Sequence, residues 1–133
     1  MASIFSKIIS REIPAYIVAE DEYHIAILDI NPLIMGHTLV VPKDEVDYLF
    51  DIDDESFSRL SLFAKKVAHA IKSVVPCNRI GVAVIGLEVP HAHIHLVPVN
   101  SMADLDFSRP KLKPGKKEFE EVAGKIREAF IKP

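Results

Sequence analysis

The chain has 133 residues, of which 49% are hydrophobic, and it carries a formal net charge of −3. This length lets one domain bury its own core, and the slight negative charge argues against nucleic-acid or anionic-membrane partners. The lone cysteine, Cys77, excludes an intrachain disulfide and is typical of a reducing compartment. Since the sequence has neither a signal-peptide core nor a membrane-length apolar run, we expect a cytoplasmic protein.

Apolar spacing predicts the secondary structure in chain order. The predicted elements are a helix over 4–9, strands over 16–20, 23–30 and 37–42, a long helix with an apolar stripe from 57 to 74, strands over 79–86 and 91–98, and a helix over about 116–131. Asp53 or Asp54 is predicted to cap the long helix. Short links between neighbouring strands favour antiparallel pairing. The sequence therefore predicts one α+β domain over residues 1–133, with a five-stranded antiparallel sheet, one long helix and two flanking helices.

Three histidines alternate with small or apolar residues between Pro90 and Pro98. In a strand, His91, His93 and His95 would share one face. Two imidazolium charges about 7 Å apart repel by about 2 kcal/mol at an effective dielectric of 20, so the cluster is expected to stay partly neutral. Neutral imidazoles suit either a metal site or nucleophilic attack on phosphorus. The spacing alone does not decide between these two chemistries.

The stretch His91-Ala-His93-Ile-His95-Leu-Val resembles the signature of the histidine triad family of nucleotide hydrolases and transferases. Upstream stretches match that family in order and spacing, so that the resemblance covers about residues 3–99: they are 4–9, 12–15, 28–32 and 36–43. The resemblance implies a HIT-like fold and a homodimer in which two sheets pair into ten strands. It also implies a hydrolase or transferase, without a cofactor, that attacks the α-phosphate of a purine nucleotide conjugate such as a phosphoramidate.

The resemblance also assigns roles to individual residues. It makes His93 the nucleophile that becomes nucleotidylated, with His91 and His95 contacting the phosphate and His37 completing the catalytic set. Asp29 matches the acid that binds the ribose. The implied nucleobase pocket consists of Ile4, Phe5, Ile8, Ile27, Ile30 and Leu39.

The chain departs from this family at the positions of a structural zinc. Many bacterial members begin Cys-x-x-Cys and carry a histidine two residues after Pro-Lys. Here Ser3, Ser6 and Glu45 stand at those positions. Because all three ligands are replaced together, we predict no bound metal.

A second departure lies just before the histidines. Leu87 and Glu88 replace an amide and a hydroxyl, and Ile80 replaces an asparagine, so donors to the phosphate are lost and Glu88 adds a negative charge beside the nucleotide. The leaving group therefore differs, or the imidazoles hold the phosphate. The loss also leaves open a nucleotide-binding or regulatory module with weak turnover, and the histidines by themselves leave open a histidine-ligated metalloprotein.

The last third of the chain matches no motif of the family. Its lysines at 111, 113, 116 and 117 form a small basic run. A solvated surface is the favoured interpretation, with contact to a polyphosphate or an acidic partner as the alternative.

Overall fold

The structure, a computed structural model, describes residues 2–132. Its helices and strands are, in chain order, α1 (Ile4–Ile9), β1 (Ile17–Glu20), β2 (His24–Leu28), β3 (Thr38–Pro42), α2 (Asp54–Val74), β4 (Arg79–Ala83), β5 (Ile94–Val99) and α3 (Lys116–Ile131). Short 3₁₀ turns cover Leu49–Asp51 and Met102–Leu105. Among the described residues, no helix combines the length and the apolar character needed to cross a membrane.

The five strands form one sheet in the order β1-β2-β3-β5-β4, and every neighbouring pair is antiparallel. This confirms the predicted sheet with one long and two flanking helices. The central strands β3 and β5 pair with Leu39 opposite His95. His37, which directly precedes β3, is thereby brought beside the histidine stretch.

Strand alternation divides the apolar residues between the two faces of the sheet. On one face, Ala26, Val40 and Leu96 pack with the buried stripe of α2 and with α3. The side chain of Asp53 accepts a hydrogen bond from the Ser56 amide and so caps α2, as predicted. The opposite face carries a smaller apolar cluster around α1, and the histidines lie on this side. We refer to it as the histidine face.

Strand β5 begins later than the sequence predicts. It starts at Ile94, so His91 and His93 precede the strand and only His95 lies in it. The reason lies in the backbone, because the His91 amide donates to Val89 O at 2.8 Å and the Ala92 amide donates to Val46 O at 2.7 Å. The first two histidines are thus held by a turn and by the loop after β3. Strands β2 and β4 are also shorter than predicted, because they end at Leu28 and Ala83.

Candidate active site

A glycine turn places His37 at the entrance of β3. Gly36 has φ +102°, and a Cβ atom there would lie 3.0 Å from Val75 Cγ2 and 3.2 Å from Pro98 Cγ. Both the left-handed backbone and the lack of space require glycine at this position. The His37 ring is consequently buried next to His95, whose Nδ1 lies 2.9 Å from His37 Nε2.

The hydrogen bonds determine which nitrogens of this pair carry protons. The backbone amide of Leu33 donates to His37 Nδ1 at 3.1 Å, so that atom is an acceptor. In a neutral ring the proton then lies on Nε2 and is donated to His95 Nδ1. The remaining proton of His95 therefore lies on Nε2. That atom has no partner among residues 2–132 and is not enclosed, so it is available to a ligand.

His93 has the opposite tautomer. Its Nδ1 lies 2.8 Å from the backbone oxygen of His91. A carbonyl oxygen only accepts, so Nδ1 donates and the lone pair of the neutral ring lies on Nε2. Like the open nitrogen of His95, this Nε2 has no partner among the described residues and is not enclosed. The rings of Phe5 and His95 lie edge-on to the His93 ring, with centroid distances of 4.9 and 5.0 Å, and these contacts fix its orientation.

His91 has no nitrogen left for a ligand. Nε2 donates to Pro42 O at 2.7 Å, and Nδ1 accepts from the Ser3 hydroxyl at 2.7 Å. The Ser3 amide and the Ser6 hydroxyl donate in turn to Glu45 Oε1, at 2.6 and 2.7 Å. This hydrogen-bonded group, the Ser3–Ser6–Glu45–His91 cluster, joins the start of α1 to the histidine stretch.

Burial favours the neutral form of His37, His91 and His95. Desolvation, with a further contribution from the charge of His95, lowers the pKa of His37 to about 3. Desolvation and the charge of His93 lower the pKa of His95 to about 4. The pKa of His91 is also lowered, because burial outweighs the hydrogen bond to Pro42 and the charge of Glu45.

Asp29 lies beside the same pair of rings. Its Oδ2 is 3.6 Å from His37 Nε2, and its Oδ1 accepts from the Asn31 amide at 2.9 Å. Burial raises the pKa of this carboxyl group, and the negative charge of Glu88 adds to that effect. The charges of His93 and Lys111 act in the opposite direction. Asp29 thus lies within electrostatic range of the candidate nucleophile.

Metal binding fits these groups poorly. Asp29, His37 and His95 are the one set of candidate ligands among residues 2–132 whose atoms lie within 4.8 Å of one another. The Leu33 amide, however, needs the Nδ1 lone pair of His37, and this keeps a proton on the nitrogen that faces the other two groups. The hydroxyls of Ser3 and Ser6 are likewise unsuited to zinc, which binds thiolate, imidazole and carboxylate.

The implied nucleobase residues fall into two groups. Phe5, Ile8, Ile27 and Leu39 are buried together on the histidine face. Ile4 and Ile30 are 48% and 61% exposed and lie outside that cluster. Glu88 is exposed on the loop before His91. Contact of these residues with a nucleotide stays a prediction.

Two regions beside the histidines escaped sequence reasoning. A cavity of about 270 Å³ is lined by His93 together with Tyr48, Phe50, Val84 and Ile85. On the other side, the ring of Phe107 lies edge-on to His95, with centroids 4.8 Å apart. The sequence marks Phe107 only as an aromatic residue in an otherwise polar stretch. That stretch has no apolar periodicity from which a role could be predicted.

Comparison with known proteins agrees with this geometry. The sequence model of the HIT domain matches residues 10–102. A HIT-like protein from Borreliella burgdorferi is 37% identical over 131 residues, covering 92% of this chain and 94% of that protein. The adenosine 5'-monophosphoramidase of Saccharomyces cerevisiae is 40% identical over 101 residues, covering 73% of this chain and 62% of that enzyme. A zinc-bound histidine triad family protein from Mycobacterium smegmatis has a TM-score of 0.84 and 29% identity, covering 99% of this chain and 95% of that one. The predicted family is confirmed, and this chain belongs to the HIT domain family.

Proposed function

We propose that this protein hydrolyses purine nucleoside phosphoramidates, or related nucleotide conjugates, through a nucleotidyl intermediate on His93. The observation that carries the proposal is the tautomer of His93, whose Nδ1–H is committed to His91 O at 2.8 Å. An accessible lone pair on Nε2 is what nucleophilic attack on phosphorus needs. Similarity to the adenosine 5'-monophosphoramidase of Saccharomyces cerevisiae supports the substrate class.

The two steps balance without a cofactor. First, His93 Nε2 forms a bond to the α-phosphorus while the phosphorus–nitrogen bond of the substrate breaks, and the departing amine takes a proton from water. Then the hydroxide that remains attacks phosphorus, the bond to Nε2 breaks, and the nucleoside monophosphate leaves. One water is consumed, with its proton on the amine and its hydroxyl on phosphorus.

The neighbouring groups take different parts in these steps. His95 donates its Nε2–H to a phosphate oxygen, where negative charge accumulates in the transition state. His37 fixes the tautomer of His95 through the bond between their rings. His91, whose two nitrogens are both engaged by the protein, acts as an anchor. Asp29 accepts hydrogen bonds from the ribose hydroxyls, and the apolar cluster around Phe5 receives the base.

The protein is further proposed to act as a cytoplasmic homodimer that pairs through β4. This strand is an edge of the sheet, and Val82, Val84, Ile85 and Leu87 in or after it are exposed although apolar. Pairing two β4 edges would cover these side chains and satisfy the open backbone groups. Analytical ultracentrifugation tests the dimer, since a monomer at micromolar concentration would contradict it.

The decisive experiment is a search for the intermediate. The protein is mixed with adenosine 5'-phosphoramidate, and a peptide mass increase of one AMP on His93 is sought together with release of AMP. His93→Asn is expected to show no adduct and to lose at least about 10⁴-fold in turnover, because the nucleophile is gone. His69→Asn is the matched control, since His69 is exposed on α2 away from the site. Turnover that survives in His93→Asn would contradict the proposal.

One observation favours a second candidate, a nucleotide-binding module with weak turnover. The loop over residues 86–88 offers Gly86, Leu87 and Glu88, none of which has a neutral donor side chain for a phosphate. The same experiment separates the two functions. Tight AMP binding without adduct or turnover would support the module.

A further inference from the structure

The segment that follows β5 forms a side of the candidate active site. The Leu112 amide donates to Pro32 O at 2.9 Å, which fixes the segment to the loop after Asp29. The Phe107 ring lies edge-on to the rings of His95 and His37, with centroid distances of 4.8 and 6.0 Å. Residues 107–112 lie beyond the part of the chain that the HIT domain model matches. Phe107 nevertheless places this segment beside the two histidines that are paired with each other.

Within this segment, Lys111 is a half-buried cation without an anionic partner. Its ammonium donates to the backbone oxygens of Phe107 and, at 3.1 Å, of Arg109. No carboxylate of residues 2–132 lies within 4.0 Å of it. An ammonium has three N–H donors, so one is left over. Its charge interacts with Asp29 and Asp106 at longer range. Partial burial of a charge without a direct partner is costly, and a directly bound anion would reduce that cost.

The other lysines of the chain show how unusual this arrangement is. Lys43 is the only other lysine among the described residues that is half-buried, and it pairs with Glu20 at 2.9 Å. Lys113, two positions after Lys111, is exposed. The basic run predicted from the sequence is therefore solvated at its other members but not at Lys111.

The charge of Lys111 acts on the candidate active site. It contributes to lowering the pKa of His37 and opposes the rise in the pKa of Asp29. Glu88, on the loop before His91, acts on Asp29 in the opposite direction. Because that loop brings a negative charge and no donor side chain, a positively charged side chain for a phosphate has to come from another element. Among the described lysines, Lys111 is the one whose charge acts on both His37 and Asp29.

We propose that Lys111 contacts the substrate, with its third N–H donating to a phosphate oxygen of the nucleotide held at His93. This inference rests on the proposed function and adds to it a residue from outside the histidine signature. It predicts that Lys111 distinguishes a nucleoside monophosphate from the corresponding nucleoside, because only the former carries the anion.

The test measures dissociation constants for AMP and for adenosine by calorimetry. Lys111→Gln keeps an amide that can donate to the two backbone oxygens but removes the charge, and Lys111→Arg keeps the charge. Lys111→Gln is expected to weaken AMP binding about tenfold, as for one partly solvated charge-assisted hydrogen bond, and to leave adenosine binding within about twofold. Lys111→Arg retains most of the AMP affinity. The matched control, Lys113→Gln, changes neither constant by more than about twofold.

Each other outcome overturns the inference. An equal loss for AMP and adenosine in Lys111→Gln would show that the lysine only shapes the segment, and thermal unfolding of the same sample would show the accompanying loss of stability. AMP binding as tight as in Lys113→Gln would show that Lys111 makes no phosphate contact. Absence of AMP binding by the wild-type protein would overturn the proposed function itself, whereas the first two results leave it intact.

Discussion

His91 and His95 lie four residues apart in one signature, yet their ring nitrogens meet different partners. Both nitrogens of His91 are engaged, one by Pro42 O and one by the Ser3 hydroxyl. His95 uses one nitrogen for His37 and keeps the other open. Equal spacing along the chain therefore does not give the histidines the same chemical role. The role of each histidine depends on what distant segments bring to its second nitrogen.

Of these two histidines, His95 should have the larger effect on catalysis when it is replaced. We expect His95→Asn to lower kcat by about 10²–10³-fold, because the donor to the developing negative charge is lost. Steady-state turnover of adenosine 5'-phosphoramidate measures this. A kcat within tenfold of the wild-type value would mean that the two ends of the triad do not differ as their hydrogen bonds indicate.

Removing His91 should instead affect the free energy of unfolding. His91→Phe keeps a ring but leaves Pro42 O and the Ser3 hydroxyl without their partner, and we expect a loss of about 2–3 kcal/mol. Urea unfolding measures the loss, and kcat per folded molecule is expected to stay within about tenfold. If His91→Phe folds normally but loses all turnover, His91 has a chemical role at the phosphate and is more than an anchor.

Acid should destabilise the histidine face. Burial lowers the pKa of His37 to about 3 and that of His95 to about 4. A histidine in the unfolded chain has a pKa near 6.5, so below pH 6.5 the unfolded chain binds more protons than the folded one. The stabilisation is fully present above pH 6.5 and is lost as the pH falls towards the folded values. We expect each histidine to contribute a slope of up to about 1.4 kcal/mol per pH unit in that window.

Urea unfolding between pH 7.5 and pH 5 tests this slope. His95→Asn should make the pH dependence shallower by about one proton, whereas the exposed His69→Asn should leave it unchanged. A slope that is the same in both variants would contradict a neutral, buried His95.

The smallest effect is expected at the serine that supports His91. Ser3 caps α1 by accepting from the Ser6 amide at 3.0 Å, and it donates to His91. Ser3→Ala should lower the free energy of unfolding by about 1–2 kcal/mol through loss of both bonds. Ser10→Ala, at the exposed opposite end of the same helix, should cost less than about 0.5 kcal/mol. Equal effects would mean that the Ser3–Ser6–Glu45–His91 cluster adds nothing to the cap.

The sequence predicted elements best where an apolar period runs uninterrupted. The structure has α1 over Ile4–Ile9 and α3 over Lys116–Ile131, and both spans agree with the prediction. The start of β5 could not be predicted in the same way, because alternation cannot show that the backbone of residues 91–92 bonds to a turn and to the loop after β3. Strand periodicity carries no information about the partners of the backbone.

The proximity of the histidine rings was predictable from the family resemblance, and the positions of their protons were not. The family resemblance put His37 with the triad, and the structure places these rings together. The tautomers depend on the Leu33 amide and on the backbone oxygens of Pro42 and His91. Backbone groups are present whatever the side chain, so the sequence does not reveal them. The position of Lys111 beside the site could not be predicted for a related reason. In the sequence, this lysine is indistinguishable from its exposed neighbours.

The amide of Leu33 has an evolutionary consequence. Because the group that orients His37 belongs to the main chain, any residue except proline at position 33 supplies the same donor. Side-chain drift in the loop between β2 and β3 is therefore tolerated by the proton chain that ends at His95, whereas insertion or deletion of a residue is not. Across related sequences, the length of this loop and Gly36 should vary less than the identities of the residues around them.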